Sequence, residues 1–441
     1  MAYLVRTPSS AGNRKTFTIS AWIKPNVQSS DSISMFSAWS ADNNASHFVW
    51  RINSNGTIGW SRWSEDSYST RQLRDTNAWY HCVIAVDTTQ ATASDRVKLY
   101  VNNEQITSFS VGANYPAQNT DLPVNNTNIQ TIGLNNFSSG QNPFKGYMSH
   151  FNLVDGTALT PSAFGEYDAN GVWTINTSPS VTYGTNGFFI LKDGNSVTDQ
   201  SGNGNNFTVS GGTLTNTEDN PSNVFATMNP LDNFYNSSTF SNGNNTVQTS
   251  TSQYTYNTST LGVSSGKWYC EIEYDATSYS DNATIGVISQ FSTASSMELG
   301  NNSNDWGYYA NGSIINNNSI SSYGNSYTVG DIIGIALDLD NNKLYFSKNG
   351  TWQNSGDPTS GATGTGAISI TDPASTNIGS YFIAICHFDG SSNGTYKANF
   401  GNGYFGTTAV ASAGTNASGN GIFEYDVPTG YTALSTKGLN L

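Results

Sequence analysis

Apolar residues along this chain recur at every second position from one end to the other, and almost nowhere at the spacing of a helix face. A chain with that period buries pleated surfaces rather than helical stripes, so sheets packed face to face are the architecture open to it. In Phe17–Lys24 the residues Phe17, Ile19, Ala21 and Ile23 share one face. Trp79–Asp87 is apolar on both faces, as an inner strand of a sandwich should be. Val97–Val101 then meets Asn102-Asn103, a pair able to take positive φ and turn the chain into Gln105-Ile106. The second half repeats the style. Lys267–Tyr274 and Asp331–Leu339 alternate, Asp340-Asn341-Asn342 and Asn349-Gly350 flank Lys343–Ser347 as turns, and Tyr381–Phe388 reads as another inner strand. The expectation is an all-β chain of two antiparallel β-sandwich (jelly-roll) domains in tandem.

At 441 residues the chain is too long for one typical core. The stretch 194–252 is dense in Asn, Ser, Thr and Gly, yet Asn220–Leu231 within it has too many apolar anchors for a free linker. Ile422–Leu434 also looks docked. The expected organisation is a first sandwich over 1–210, an ordered connector over 211–252, a second sandwich over 253–405, and a C-terminal docking segment over 406–441.

Only 11% of residues are charged, against roughly 25% in an average soluble protein, but 24 Tyr, 21 Phe and 10 Trp provide large area to bury. The chain is therefore a folded one. Net charge is −14 with 17 Lys and Arg, so no basic stripe exists to neutralise phosphates. Nucleic acid and an anionic membrane surface are disfavoured as partners on that ground, and neither is expected. No apolar run is long enough to insert as a spanning helix. The N-terminus lacks the apolar core of a secretion signal. Cys82, Cys270 and Cys386 are far apart and odd in number, and each lies in an apolar run. That pattern fits buried free thiols in a protein made in reducing cytoplasm. Asn-x-Ser/Thr triplets such as Asn206-Phe207-Thr208 are expected by chance at this composition. No heptad stalk or collagen-like repeat is present.

Few residues look equipped for chemistry. Glu271, Glu273 and Asp275 fall on one strand face, where neighbouring carboxyls could satisfy either spacing used by glycosidases; a solvent face is the expected reading. His47, His81, His150 and His387 show no metal-ligand spacing, and His81 and Cys82 point to opposite faces of a strand. No catalytic residue is assigned, and no cofactor is expected. For contact with a sugar or a protein, the candidates are aromatics in polar stretches: Arg62, Trp63 and Tyr68 in one cluster, Trp306, Tyr308 and Tyr309 in the other.

The first half, through Phe17–Pro25, Trp79–His81, Val97–Glu104, Phe144–Phe151 and Ala158–Ala163, resembles laminin-G-like, concanavalin-A-like jelly rolls over about residues 1–190. The resemblance implies the fold, and it makes calcium a candidate ligand through Asp155 or Asp121, although no oxygen-rich loop of recognisable spacing appears; members bind sugars, proteins or nothing known. One departure is Asp199–Phe207, which looks like a segment that usually opens such domains and is expected here to pair back onto the first sheet. The second half, through Gly266–Glu271, Ile285–Val287, Trp306–Tyr308, Gly330–Asp338, Lys343–Gly350 and Ala398–Gly401, resembles SPRY domains, which implies a protein-interaction sandwich whose loops at one end bind. Arg6–Lys15, the connector around Asn220–Leu231, and Pro428–Leu434 resemble segments of marine phage structural proteins. That resemblance implies a virion protein, synthesised in the host cytoplasm, on a tail fibre or as a capsid decoration. Its implied partners are other virion proteins and a host-surface glycan or protein, contacted without turnover and as a homo-oligomer. A purely structural virion role is the alternative, and a secreted polysaccharide-degrading enzyme is disfavoured.

Overall fold

The structure, a computed structural model, describes residues 2–25, 32–136, 142–192, 194, 196–232, 237–250, 254–275, 283–290, 297–387 and 393–440. The fold is all-β, and every helical segment among the described residues is a short 3₁₀ turn. None is long and apolar enough to cross a membrane. The chain divides into two compact units: Met1–Asn216 with Asn220–Ser222, and Thr217–Asp219 with Asn223–Leu441. The Asn-rich stretch after residue 211 is thus shared, and from Asn223 onward it belongs to the second unit.

In the first unit an eight-stranded antiparallel sheet runs, in spatial order, through 109–111, 65–72, 57–62, 47–52, 33–39, 129–132, 3–6 and 208–210. A six-stranded sheet runs through 188–190, 146–155, 16–25, 80–87, 97–101 and 104–106. The alternation in Thr16–Pro25 does what its period requires: Phe17, Ile19, Ala21 and Ile23 enter the core between the sheets. Phe17 meets Phe48 of the opposite sheet edge-on at 6.1 Å, and Phe36 meets Phe151 at 6.4 Å. Tyr80–Asp87 is an inner strand, with Cys82, Ile84 and Val86 in the core and Val83 and Ala85 buried on the other face. Asn102 (φ 49°) and Asn103 (φ 68°) form the predicted left-handed turn.

Asp199–Phe207 leads into Thr208–Ser210, which pairs antiparallel with Tyr3–Val5 and adds the strand expected from its displaced position. The local sequence explains the loop. The Asp199 carboxylate accepts the backbone N–H groups of Phe189, Ser201 and Asn205, and Phe207 packs edge-on against Phe188 at 4.7 Å.

In the second unit a nine-stranded sheet has 239–241, 246–248, 395–399, 267–275, 332–338, 343–348 and 351–352 as its main path, with 368–369 and 432–433 pairing onto it. It faces a six-stranded sheet of 255–263, 381–387, 283–288, 305–309, 313–316 and 319–322. Residue 388, the last of the sequence-predicted inner strand, lies outside the described residues. Ile272, Ile335 and Phe346 of one sheet share a core with Ile285, Trp306 and Ile385 of the other. The outer face of the larger sheet is covered as well: Tyr269, Ala336 and Tyr345 pack with Phe225, Phe423 and Tyr431. The strand 432–433 locks this cover by pairing parallel to Trp268-Tyr269.

Candidate binding surface

Strands Thr57–Arg62 and Glu65–Gln72 are joined by the two residues Trp63 and Ser64, with Arg62 opposite Glu65. Trp63 has φ 44°, a left-handed conformation that a bulky aromatic rarely adopts, and its side chain is 40% exposed. Such strain persists only where neighbours over-determine it, and here they do. The backbone N–H of Trp63 donates to Nδ1 of His47 at 3.0 Å, and that of Ser64 donates to Oδ1 of Asn44 at 3.1 Å. A peptide N–H can only donate, so Nδ1 of His47 is an acceptor and its proton sits on Nε2, which donates to Oδ1 of Asn135 at 3.0 Å. Burial holds the His47 imidazole below its ordinary pKa, against the pull of Asn135. The Trp63 and His47 rings meet edge-on at 6.2 Å. In the loop before His47, the Trp39 indole N–H donates to Asp42 at 3.0 Å. The product is an exposed indole held rigidly beside a short loop of carboxylate and amide groups. Stacking on the ring and hydrogen bonding to those groups suits a polyol or a protein side chain.

The other sequence candidates lie elsewhere. Arg62 is buried and paired with Glu65, and Tyr68 is buried beneath the Arg51 guanidinium, 5.4 Å from its ring, with its hydroxyl accepting from Arg51 Nε. Burial pushes the Tyr68 phenol up to about 12. Only Trp63 of that cluster is presented to solvent. Trp306, Tyr308 and Tyr309 are all buried, because their strand lies inside the six-stranded sheet, between 283–288 and 313–316. Trp306 packs on Tyr381 at 5.9 Å and Tyr308 stacks on Phe346 at 5.2 Å. The Tyr309 hydroxyl donates to the Glu298 carboxylate. The Asn and Gly residues around them suggest a loop, but the Trp-x-Tyr alternation is the stronger signal and marks an inward face. His47, Asn44 and Asn135 were missed because their partners are distant in sequence.

The carboxylate run is corrected too. Glu271, Glu273 and Asp275 do share a face, but it is a solvent face only toward its end. Glu271 is wholly buried by the C-terminal segment. Its carboxylate accepts the N–H groups of Glu424 and Tyr425 at 2.9 Å each, the Tyr269 hydroxyl at 3.0 Å, and Nδ2 of Asn399 at 3.3 Å. Burial pushes it up to about 7 against those donors. Glu273 and Asp275 pair with Lys397 at 3.4 and 2.6 Å. A saturated acid and two ion-paired ones do not make a glycosidase pair.

Ser20 and His81 are adjacent, with Oγ 2.9 Å from Nε2, in the geometry of a nucleophile and its base. The other nitrogen decides the matter. Trp173 Nε1 donates to Nδ1 at 3.0 Å, so the proton is on Nε2 and the imidazole donates to Ser20 instead of accepting from it. Stacked between Trp22 and Trp173, at 4.9 and 5.9 Å, His81 is pushed by burial down to about 3.

Among the described residues no group of three or more His, Cys, Asp or Glu side chains could hold a metal. Asp155 is ringed by donors: Oδ1 accepts from Asn13 N at 2.7 Å and Asn125 Nδ2 at 3.1 Å, and Oδ2 from Asn186 N at 2.9 Å. Calcium requires oxygen ligands in those positions. Asp121 is exposed.

Residues 3–163 match the family described as the concanavalin A-like lectin/glucanases superfamily, and residues 267–370 match the SPRY domain family. The chain carries a concanavalin A-like domain and a SPRY domain. Each domain extends past its matched segment, the first to the strand 208–210 and the second to the strands 381–387 and 395–399. Over 93 residues the chain is 38% identical to the ATP-dependent RNA helicase DDX1 of Xenopus laevis, an alignment covering 21% of this chain and 12% of the helicase. The solved SPRY domain of human HERC1 is 17% identical, with 36% of this chain and 91% of that one covered at a TM-score of 0.30. A putative carbohydrate binding protein of Bacteroides ovatus is 18% identical, covering 49% and 58%, at a TM-score of 0.34. The braced Trp63 turn belongs to the concanavalin A-like domain, and the buried Glu271 to the SPRY domain.

Proposed function

We propose that this chain is a non-catalytic recognition protein, displayed on the surface of a phage particle as part of a tail fibre or a capsid decoration, that contacts a host-surface glycan or protein. The observation that carries the recognition reading is the exposed Trp63 indole, held in a strained turn by His47 and Asn44. Absence of turnover is supported by the two arrangements that come nearest to chemistry. Trp173 sets the tautomer of His81 against Ser20, and four donors saturate Glu271. The virion part rests on the resemblance of Arg6–Lys15, Asn220–Leu231 and Pro428–Leu434 to phage structural segments, with three buried free thiols as further support.

Purified chain applied to host cells and to immobilised host glycans tests the reading. Binding by wild type, reduced at least tenfold in Trp63→Ala and without cleavage products, is the expected result. Equal binding by both proteins removes Trp63 from the contact, and released oligosaccharide overturns the non-catalytic assignment. An antibody to the chain, imaged on particles, distinguishes head from tail.

A further inference from the structure

The six-stranded sheet of the SPRY domain has two unlike edges. At one, Thr255–Val263 is covered by the chain that precedes it: Thr260 N–H donates to the Thr227 carbonyl and Asn229 N–H to that of Thr258, both at 2.8 Å. At the other, all four residues of Ser319–Ser322 are exposed, and Ile320 is 62% exposed. The hairpin that ends there turns through Asn317 (φ 49°) and Asn318 (φ 58°), with Asn316 opposite Ser319, Ile315 opposite Ile320 and Ile314 opposite Ser321. In a two-residue hairpin the pair flanking the turn exchanges its hydrogen bonds, and alternate pairs follow. Ser319 and Ser321 therefore face the neighbouring strand, while the N–H and C=O of Ile320 and Ser322 face outward.

Edge strands are ordinarily protected by a Lys, a Pro, a bulge or a cover. Among the described residues this one has none of them, and residues 313–326 contain no charged side chain at all, in a chain of net charge −14. An uncharged edge is where two such acidic chains meet with least local repulsion. Its outward groups are also self-complementary: turned antiparallel on itself, the strand places Ile320 opposite Ser322 of a second copy, and Ser322 opposite its Ile320. Four backbone hydrogen bonds form about Ser321, the residue that then meets its own counterpart.

We propose that Ser319–Ser322 pairs antiparallel with the same strand of a second copy of this chain, about a twofold axis at Ser321. Such an interface is isologous and closed. Because it is far smaller than the roughly 1,200 Å² of a standard stable interface, association through it is weak and concentration-dependent.

The register supplies its own test. Ser321 meets its counterpart in a non-hydrogen-bonded pair with Cα atoms about 4.5 Å apart, within disulfide reach. Ser319 and its counterpart are four residues out of step, about 13 Å apart. In the full chain under mild oxidation, Ser321→Cys is expected to give a disulfide-linked dimer and Ser319→Cys is not; the native thiols are buried and do not compete. Sedimentation of wild type up to about 1 mM is expected to show self-association. Ser322→Pro, which removes only an outward N–H, and Ile320→Lys are expected to abolish it with melting temperatures unchanged. Wild type that stays monomeric, equal crosslinking at 319 and 321, or association that survives Ser322→Pro each overturn the proposal.

Discussion

Trp173 donates its indole N–H to Nδ1 of His81 at 3.0 Å, and this one bond turns a buried Ser–His pair from a potential nucleophile into a packing element. The same burial makes His81 a titration liability for the concanavalin A-like domain. Its folded pKa, about 3, lies below the ordinary 6.5. The unfolded chain therefore binds a proton that the folded one refuses as pH falls between those values. Stability from this group is complete above about pH 6.5 and declines by up to about 1.4 kcal/mol per pH unit below it. Urea unfolding of the first domain at pH 7 and pH 5 is expected to show the decline, and His81→Gln is expected to flatten it.

The SPRY domain is expected to respond in the opposite sense. Glu271 has a folded pKa of about 7 against an ordinary 4.5, and buried Asp305 is pushed up to about 6. Stability from these groups is complete below about pH 4 and is lost as pH rises through 6 and 7. Amide exchange at Glu424 and Tyr425, corrected for intrinsic rate, is expected to accelerate between pH 6 and pH 8. Glu271→Gln sets an amide NH₂ against one of the two peptide N–H groups, so it should cost about 1–3 kcal/mol and remove that pH dependence.

Trp63→Gly separates stability from recognition. Glycine adopts φ 44° without steric cost, and the indole it removes is exposed. The melting temperature is expected to hold or rise slightly while host binding falls as it does in Trp63→Ala. A fall in melting temperature of several degrees would show that the ring serves packing.

Cys82, Cys270 and Cys386 are free, buried and pushed by burial toward the protonated form, the last to about 12. A thiol reagent added to the native chain is expected to find no reactive cysteine, and three after denaturation. Rapid reaction of one in the native state would contradict the packing of its strand.

The sandwiches were legible because burial on a pleated sheet writes its period directly into the chain. Phe17–Ile23, Tyr80–Asp87 and the Asn102-Asn103 turn follow from alternation and from the backbone preferences of Asn. The displaced strand 208–210 was legible from the Asp199–Phe207 motif. Side-chain exposure was less so. Trp306 and Tyr308 sit among Asn and Gly yet face a core, since their strand is paired on both sides, with 283–288 and 313–316, and its Trp-x-Tyr face packs against the opposite sheet. Glu271 reads as solvent-facing from its own strand, and only the arrival of a segment some 150 residues later buries it. The support beneath Trp63 is similar: His47, Asn44 and Asn135 meet through the sheet, and no local pattern joins them.

The cover over the larger SPRY sheet bears on how the chain can be shortened. The segment that family similarity picks out stops at residue 370, whereas the lid over Tyr269 and Tyr345 is built from Phe225, Phe423 and Tyr431. Trimming to the recognisable segment, or even to the last long strand at Asn399, leaves a carboxylate under a missing roof and a row of aromatic rings in water. The smallest independently folding piece therefore starts before Phe225 and runs beyond Leu434. A tag or fused partner belongs after the exposed Leu439, beyond the last aromatic of the lid, Tyr431.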